Sequence, residues 1–496
     1  MSGKRGIIAL MIAVAALAVL LAMLFSGAVY AEEMEAKELT QQTAVTSEDD
    51  PEGLANLTDK NMATRYVCAA GTTVKLECDE PASQLYVILD RPVEGYTVSF
   101  GGKTLQCGKD GFLHEYIALG EAAKEIELTF TAEKTMVCEL YLFGEGETPD
   151  WVQKWMPPYE DADMLLLPTH ADDEHLWFGG TMPYYAGELG RRVQVAYMTN
   201  HWGDRRRPHE LLNGLWLVGV RAYPVISDFP DAYAETLEQA ESIYGRENIL
   251  EWQVEQLRRF KPEVVIAQDI DGEYGHGAHR LNASTALEAA PLAADASVFP
   301  ESAEKYGVWE LPKLYMHLYP ENQLVMDWSV PLERFGGKTG LEMAKEGYLE
   351  HESQQYCWFE VKDSGKLDCR KFGLAYTTIG PDDPEVPDFL QNITIFSGEY
   401  AIIEESTPEE SEAESSEQEL SETESSELSG QEQPAPSEYD PQTDELPEEK
   451  DIWRSSFGSP VFIALTAAVV VVIIAALLAQ IYSDRRSKGK DKGNDA

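Results

Sequence analysis

The chain has little positive charge and lacks the signatures of several common ligand classes. Its 39 Lys and Arg residues are outnumbered by 87 Asp and Glu residues, which gives a formal net charge of −48 over 496 residues. Nucleic-acid binding depends on a basic surface, so this balance argues against it. No G-x-x-x-x-G-K loop is present, and a nucleotide cofactor therefore has no positive support. The absence of a C-x-x-C pair likewise removes support for a zinc finger or a thioredoxin-like site.

Cysteine is also scarce. The chain contains six cysteines: Cys68, Cys78, Cys107, Cys138, Cys357 and Cys369. An even number is compatible with disulfides outside the cell, and the last two could close a loop in the second half of the chain. The spacing does not define a pairing, and buried free thiols are the alternative.

Two long apolar runs lie near the ends of the chain. The first, residues 6–25, follows a basic start and precedes small residues, so we predict a signal peptide over 1–31, with an uncleaved anchor as the alternative. The second run predicts a transmembrane helix over 460–482, followed by a basic cytoplasmic tail over 483–496. These features predict a single-pass protein of the cell membrane, with the body of the protein extracellular and the C-terminus cytoplasmic.

Between these runs the composition changes twice. Residues 32–150 contain short alternating segments separated by Gly and Asp turns, which is typical of an all-β sandwich. From about Asp163 to Ala290, apolar strands alternate with helical stretches, and beyond Ser297 the pattern is mixed; we predict one α/β domain over 160–400 with a Rossmann-like, mainly parallel sheet. Residues 404–450 are acidic and rich in Ser, Gln and Pro, so we predict a disordered stalk.

The most informative segment follows the apolar run Leu165–Leu167. Here His170 is followed by Asp172, Asp173 and Glu174. Ligands bind at the carboxyl ends of strands in open α/β sheets, and a histidine with carboxylates there can hold a divalent metal. The alternative is that these acids only begin a helix, where carboxylates cap backbone N–H groups.

A second apolar run, Val264–Ala267, leads into another polar cluster that contains His276 and His279. Catalytic zinc usually has three protein ligands drawn from His and Asp or Glu. His170, Asp173 and His279 supply that set, which leaves Asp172 and His276 for acid–base work. One composite metal site is therefore predicted. Three further histidines have lesser roles: His175 is expected to be structural, and His201 and His209 are weak ligand candidates.

These motifs together resemble the PIG-L/LmbE-like N-acetylglucosaminyl deacetylases over residues 160–400. The resemblance rests on the strand with His-x-Asp-Asp-Glu, on an Arg-x-x-Glu element, and on Tyr-Gly-His-x-x-His. It implies metal binding by His170, Asp173 and His279, with zinc as the expected ion. It also implies catalytic roles that fall to Asp172 as general base, His276 as the group assisting the leaving amine, and Tyr274 as a carbonyl-polarising group. Arg207 matches the family's substrate-binding arginine.

Two positions depart from the family pattern. Ala171 stands where the family usually has Pro, and Gly277-Ala278 stand where it has Pro-Asp. The missing carboxylate could have tuned the charge and orientation of the two flanking histidines.

A further substrate-binding candidate is Asp231, which follows a short strand where an α/β pocket would receive a sugar hydroxyl.

The expected function is hydrolysis of the acetamide of an N-acetylated amino sugar in an extracellular glycan or glycoconjugate. A non-catalytic glycan-binding surface protein with a degenerate site is the alternative, and a metallohydrolase acting on another amide or ester is a further one. The segment from Asn56 to Arg65 resembles the start of a discoidin-type, galactose-binding-like jelly roll, which implies either glycan binding or a spacer role for residues 32–150.

Overall fold

The structure is a computed structural model that describes residues 34–49, 51 and 53–394. Several predictions concern segments outside the described residues: the signal peptide over 1–31, the stalk over 404–450, the spanning helix over 460–482 and the tail over 483–496.

The sequence predicts a location in the cell membrane, with an extracellular catalytic domain and a cytoplasmic C-terminus. This prediction is wrong, because the structure shows no helix suited to cross a membrane among the described residues. In the described ranges, no helix combines the length and the apolar character that a bilayer crossing requires. The longest helix there has 16 residues, whereas a spanning helix needs about 20 consecutive apolar residues. The membrane assignment is therefore withdrawn.

The strands are numbered along the chain. They are β1 Thr43–Ser47, β2 Tyr66–Cys68, β3 Thr73–Leu89, β4 Tyr96–Phe100, β5 Lys103–Cys107, β6 His114–Phe130, β7 Thr135–Phe143, β8 Met164–Leu167, β9 Val193–Tyr197, β10 Val225–Ile226, β11 Val264–Ala267, β12 Lys313–His317, β13 Gln323–Val325 and β14 Lys371–Thr377.

The helices follow the same scheme. They are α1 Asp173–Leu176, α2 Arg207–Leu217, α3 Leu237–Tyr244, α4 Arg246–Phe260, α5 Gly277–Leu292, α6 Pro300–Tyr306 and α7 Gly340–Leu349. A π-helical turn spans Pro183–Glu188, and 3₁₀ turns span Thr40–Gln42, Gly53–Leu57, Glu333–Phe335 and Glu352–Gln354.

Strands β1 to β7 form one antiparallel sheet in the order β2-β7-β3-β6-β4-β5, with β1 paired to β3. The ladder between the long strands β3 and β6 shifts register on either side of Ala82. Alternate residues along β3 are buried, as in Val74 and Leu76, and they enter a separate apolar core. The predicted all-β domain is therefore present as an antiparallel sheet, and its jelly-roll classification stays a prediction.

The second sheet has the order β10-β9-β8-β11-β12-β14-β13. Its first five strands are parallel, and β14 runs antiparallel to both of its neighbours. The chain moves outward from β8 through β9 to β10 and then returns to β11 on the other side of β8. The boundary between β8 and β11 is therefore a topological switch point, where α/β folds bind their ligands. The predicted α/β class with a mainly parallel sheet is confirmed.

The central strands of this sheet are buried on both faces, which explains why the sequence shows continuous apolar runs there. In β8, Met164 and Leu166 belong to one core, whereas Leu165 and Leu167 belong to the core on the opposite face. Helices α4 and α5 supply much of the second core.

One predicted helix is divided in two. The sequence predicts a single helix from Tyr233 to Phe260, but α3 ends at Tyr244 and α4 begins at Arg246. Gly245 between them has a φ of 74°, which lies outside the helical range and which glycine adopts at little cost. The prediction of one continuous helix is wrong for this local reason.

The antiparallel sheet meets helix α2 through a buried chain of side chains. Nε2 of His114 at the start of β6 lies 2.9 Å from Nδ1 of His209 in α2. His114 Nδ1 is 2.7 Å from the hydroxyl of Tyr86, and His209 Nε2 is 3.8 Å from Sγ of Cys138. His209 is thus part of the contact between α2 and the antiparallel sheet and not a metal ligand. All six cysteines are free thiols, and all except Cys357 are buried.

Candidate metal centre

Parallel pairing brings the two predicted clusters to one edge of the sheet. Leu167 and Ala267 are register partners at the ends of β8 and β11, so the loops after them leave side by side. His170 lies in the first loop, and Asp173 is the first residue of α1. His279 lies in the first turn of α5, the helix that follows β11. Sheet topology therefore joins residues that are more than a hundred positions apart.

Three donor atoms converge at this point. Nδ1 of His170 is 3.1 Å from Nε2 of His279 and 3.2 Å from Oδ2 of Asp173, and the last two atoms are 3.3 Å apart. Ligand atoms about 2.1 Å from a tetrahedral zinc ion are separated by about 3.4 Å. The three side chains are buried. Their donor set and spacing therefore fit a divalent metal.

Neighbouring groups hold these side chains in place. The Nδ1 of His279 lies 2.7 Å from Oε2 of Glu273, and the indole N–H of Trp177 donates to Oδ1 of Asp173 at 2.7 Å. A carboxylate on the second nitrogen of a histidine ligand fixes its tautomer and orientation. Sequence reasoning did not assign Glu273, although it lies within the second cluster and its carboxylate precedes both histidines.

Electrostatics at the site favours positive charge. Burial opposes a charge on His279, but Asp173 and Glu273 outweigh it and raise the pKa of this imidazole to about 10. Burial likewise opposes ionisation of Asp173, yet His279 and His170 hold the pKa of its carboxyl well below the usual range. The carboxylates thus stay ionised around a position that suits a cation.

Asp172 is placed differently from the three donors. It precedes α1 with a φ of 115°, and its side chain makes no capping hydrogen bond to the helix. The helix-start alternative therefore explains where α1 begins but not what this carboxylate does. Burial raises the pKa of Asp172 well above its usual value, against the opposing effect of Arg207. A carboxyl that holds a proton more readily than usual is suited to general-base chemistry.

His276 and Tyr274 line the same region. The ring centroids of His276 and His170 are 5.0 Å apart, and Tyr274 stacks on His276 with centroids 5.5 Å apart. The nitrogens of His170, His276 and His279 lie within 4.8 Å of one another, so His276 is an alternative third ligand. The Asp173 oxygen completes a tighter triangle, and we therefore favour Asp173. Burial, with His170 and His279, lowers the pKa of His276 to about 3, so this ring is neutral at neutral pH.

Arg207 and Asp231 lie beside the cluster and contact each other. Arg207 donates from Nη1 to Oδ2 of Asp231 at 3.1 Å and from Nη2 to the carbonyl oxygen of Ala171 at 2.6 Å. Asp231 Oδ2 also lies 3.0 Å from Nδ1 of His201, and its Oδ1 is 3.7 Å from Nε2 of His170. Both predicted substrate-binding residues therefore support the loop that carries the metal ligands.

The two departures from the family pattern have structural explanations. The backbone N–H of Ala171 donates to Nε2 of His201 at 2.8 Å, a bond that proline cannot make. A Cβ on Gly277 would lie 2.1 Å from the carbonyl oxygen of Thr236, so only glycine permits this contact. Ala278 is fully buried in a small apolar cluster, where a carboxylate would be costly.

A cavity of about 760 Å³ lies elsewhere, between the antiparallel sheet and α2, and Trp151 and Trp216 are among its lining residues. None of the predicted site residues lines it. The chemistry argued above therefore belongs to the cluster at the strand ends.

Comparison with known proteins gives a consistent picture for the same segment. Residues 165–290 match the family model described as PIG-L: GlcNAc-PI de-N-acetylase. The 1D-myo-inositol 2-acetamido-2-deoxy-alpha-D-glucopyranoside deacetylase 1 of Catenulispora acidiphila is 28% identical over 197 residues, which cover 32% of this chain and 57% of that protein. The corresponding deacetylase 2 of Saccharopolyspora erythraea is 30% identical over 186 residues, with 32% and 66% covered.

The chain therefore spans less than two thirds of the length of these curated relatives. Among solved structures, N,N'-diacetylchitobiose deacetylase from Pyrococcus horikoshii, complexed with its inhibitor MPG, is 19% identical with a TM-score of 0.30. That match covers 40% of this chain and 72% of the other. The resemblance predicted over residues 160–400 is confirmed for 165–290, the segment that carries every predicted site residue and matches the PIG-L family.

Proposed function

We propose that this protein is a metal-dependent de-N-acetylase that hydrolyses the acetamide of an N-acetylated amino sugar of the N-acetylglucosamine type. The observation that carries the proposal is the triangle of His170 Nδ1, Asp173 Oδ2 and His279 Nε2, with sides of 3.1–3.3 Å, next to a protonatable carboxylate. The names of the curated relatives support the reaction class, since both are deacetylases of a 2-acetamido-2-deoxy sugar.

His170, Asp173 and His279 would hold the metal, and we propose Zn²⁺ because the site offers two imidazoles and one carboxylate. When bound, the ion would polarise the acetamide carbonyl and acidify the attacking water. Two of these ligands are oriented by neighbours. Glu273 contacts His279, and Trp177 donates a hydrogen bond to Asp173. The metal site and its support are thus built from this chain alone.

Asp172 is the group that would accept the proton of the attacking water. Its burial and raised pKa favour proton uptake, and Arg207 Nη2, 3.9 Å from Oδ1, limits how far that pKa rises. His276 is neutral at rest, so it would receive or relay a proton during turnover and not donate one beforehand. Tyr274, stacked on His276, is placed to donate a hydrogen bond to the substrate carbonyl.

Replacement of the proposed base tests this function. The variant Asp172→Asn should bind the same amount of metal but release acetate about 10² to 10⁴ times more slowly, because the amide cannot accept a proton. The substrate would be a glycoside of N-acetylglucosamine, and acetate release would be measured enzymatically. Asp228→Asn is a matched control, since Asp228 is an exposed acid after β10 and should leave the rate unchanged.

The alternative function gives a different result. A non-catalytic glycan-binding protein would retain N-acetylglucosamine glycosides without releasing acetate, in the wild type as in the variants. Acetate release at equal rates from the wild type and from Asp172→Asn would instead show that another group is the base. If the protein released the acyl group of other amides or esters but no acetate from acetamido sugars, it would be a different amide or ester hydrolase.

A further inference from the structure

A second group of metal-ligand side chains lies on the other side of α1. Glu174 and His175 belong to this helix, and His351 follows the end of α7. All three are fully buried. Oε1 of Glu174 lies 3.4 Å from Nε2 of His175 and 3.2 Å from Nε2 of His351, and ligand atoms of the three lie within 4.8 Å of one another.

These atoms do not hydrogen-bond to one another. In the part of the chain that the structure describes, Glu174 Oε1 and both ring nitrogens of His175 and of His351 have no hydrogen-bond partner. Buried polar atoms almost always have a hydrogen-bond partner, so five unpaired atoms on three adjoining side chains require an explanation. One donor atom from each of the three side chains lies close to the other two without a hydrogen bond, so one atom of each is available to a shared cation.

The surrounding helices allow this close packing at two glycines. A Cβ on Gly214 of α2 would lie 2.6 Å from Nε2 of His175 and 3.2 Å from Nε2 of His351. A Cβ on Gly347 of α7 would lie 2.4 Å from Cε1 of His175. Both helices therefore need glycine where they face the cluster, and a larger residue would displace the rings.

The loop that carries His351 is also anchored. Glu210 of α2 accepts hydrogen bonds from the backbone N–H of Ser353 at 2.9 Å and from its hydroxyl at 2.5 Å. Three segments thus meet at the cluster: the short helix α1, the helix α2 and the turn after α7. A cation held there would join α1 to the turn after α7.

We propose that Glu174, His175 and His351 bind a second divalent cation of the zinc class. Two imidazoles and one carboxylate are a donor set that zinc accepts, with one position left for a further donor, and complete burial keeps this cluster away from substrate. This ion would hold α1 in place from the side opposite the first cluster. Because Asp172 and Asp173 precede Glu174 directly, their positions would be fixed with it. The expectation from sequence that His175 is structural is thereby given a specific form.

The proposal is tested by counting bound metal. The full chain would be loaded with Zn²⁺ or Co²⁺, dialysed against metal-free buffer and assayed for metal per protein. We expect two equivalents for the wild type and one for His351→Gln. We also expect one equivalent for His279→Gln, because the second site does not use that ligand. His209→Gln, which replaces a buried histidine outside both clusters, should retain two equivalents.

The His279→Gln variant keeps the proposal falsifiable if His351→Gln fails to fold. No metal in His279→Gln, or one equivalent in the wild type that His351→Gln retains, would overturn the second site and leave the first intact. In the cobalt-loaded protein, the d–d absorption that remains in His279→Gln should report a site with two nitrogens and oxygen. Its absence would lead to the same conclusion.

Discussion

Two regions of this protein bury histidines, and they do so for different reasons. Between the antiparallel sheet and α2, His114 and His209 form a chain in which each ring nitrogen has one partner, and the partners at the ends are a hydroxyl and a thiol. At the strand ends, His170 and His279 share one carboxylate oxygen and lie 3.1 Å from each other.

The charges around the two regions explain the difference. Burial, with the nearby Arg65 and Arg91, lowers the pKa of His209 to about 4, so the interface histidine is neutral. The carboxylates next to His279 outweigh burial and raise its pKa to about 10. Burial by itself therefore does not identify a functional histidine. The proposed metal ligands are distinguished instead by donor atoms that converge and by neighbouring carboxylates.

The largest expected effect is the difference between two variants, each of which lacks one buried histidine from one of the two regions. His279→Gln should lower deacetylation about a thousandfold or more, since a bound metal supplies several kcal/mol of transition-state stabilisation. His209→Gln should leave metal content and activity near the wild-type values. Acetate release and metal per protein would be measured for both variants. Equal losses in both would show that the two regions are not functionally distinct.

A smaller effect is expected when the support of a ligand is changed. Glu273→Gln removes the carboxylate next to His279 Nδ1 and should weaken zinc binding about 10- to 100-fold. Competition with a chromogenic chelator measures this affinity. Asp271→Asn is a matched control, because Asp271 is an exposed acid in the same loop. Unchanged affinity in Glu273→Gln would show that this carboxylate does not orient the ligand.

The smallest expected effect is on how the free energy of unfolding depends on pH, through His209 at the contact between the antiparallel sheet and α2. The pKa of His209 is about 4 in the folded protein and about 6.5 in an ordinary environment, so between these values the unfolded chain binds more protons. Stability should therefore fall as the pH falls through this window, by at most about 1.4 kcal/mol per pH unit for each such group. Urea unfolding of the wild type and of His209→Gln from pH 7 to pH 4 measures the slopes.

Other buried histidines are present in both proteins, so the difference between the two slopes isolates His209. We expect the shallower slope in His209→Gln. Identical slopes would mean that His209 does not remain neutral in the folded state.

Much of the site could be predicted from local sequence. Apolar runs that end in polar clusters indicated β8 and β11, and both strands are observed within a residue of the predicted segments. Such features depend on neighbouring residues, whose periodicity and polarity are visible in one dimension.

Other features were missed because they depend on distant contacts. Glu273 becomes an orienting group only when α5 turns His279 towards it, and Glu174 and His175 form a cluster only with His351 from the other end of the domain. The division of a predicted helix at Gly245 was missed for a different, local reason, because the apolar pattern does not reveal a single backbone angle.

By itself, the sequence determined the α/β character of the second half, the positions of its central strands and the residue types that can hold a metal, because local pattern and chemistry decide these. Only the tertiary structure decided which atoms meet. Parallel pairing of β8 with β11 brings His170 and His279 to 3.1 Å, and the burial and charge acquired there distinguish the proposed ligands and the proposed base from the histidine that packs against the antiparallel sheet. Identical imidazoles differ in role because proton affinity and orientation depend on the folded surroundings.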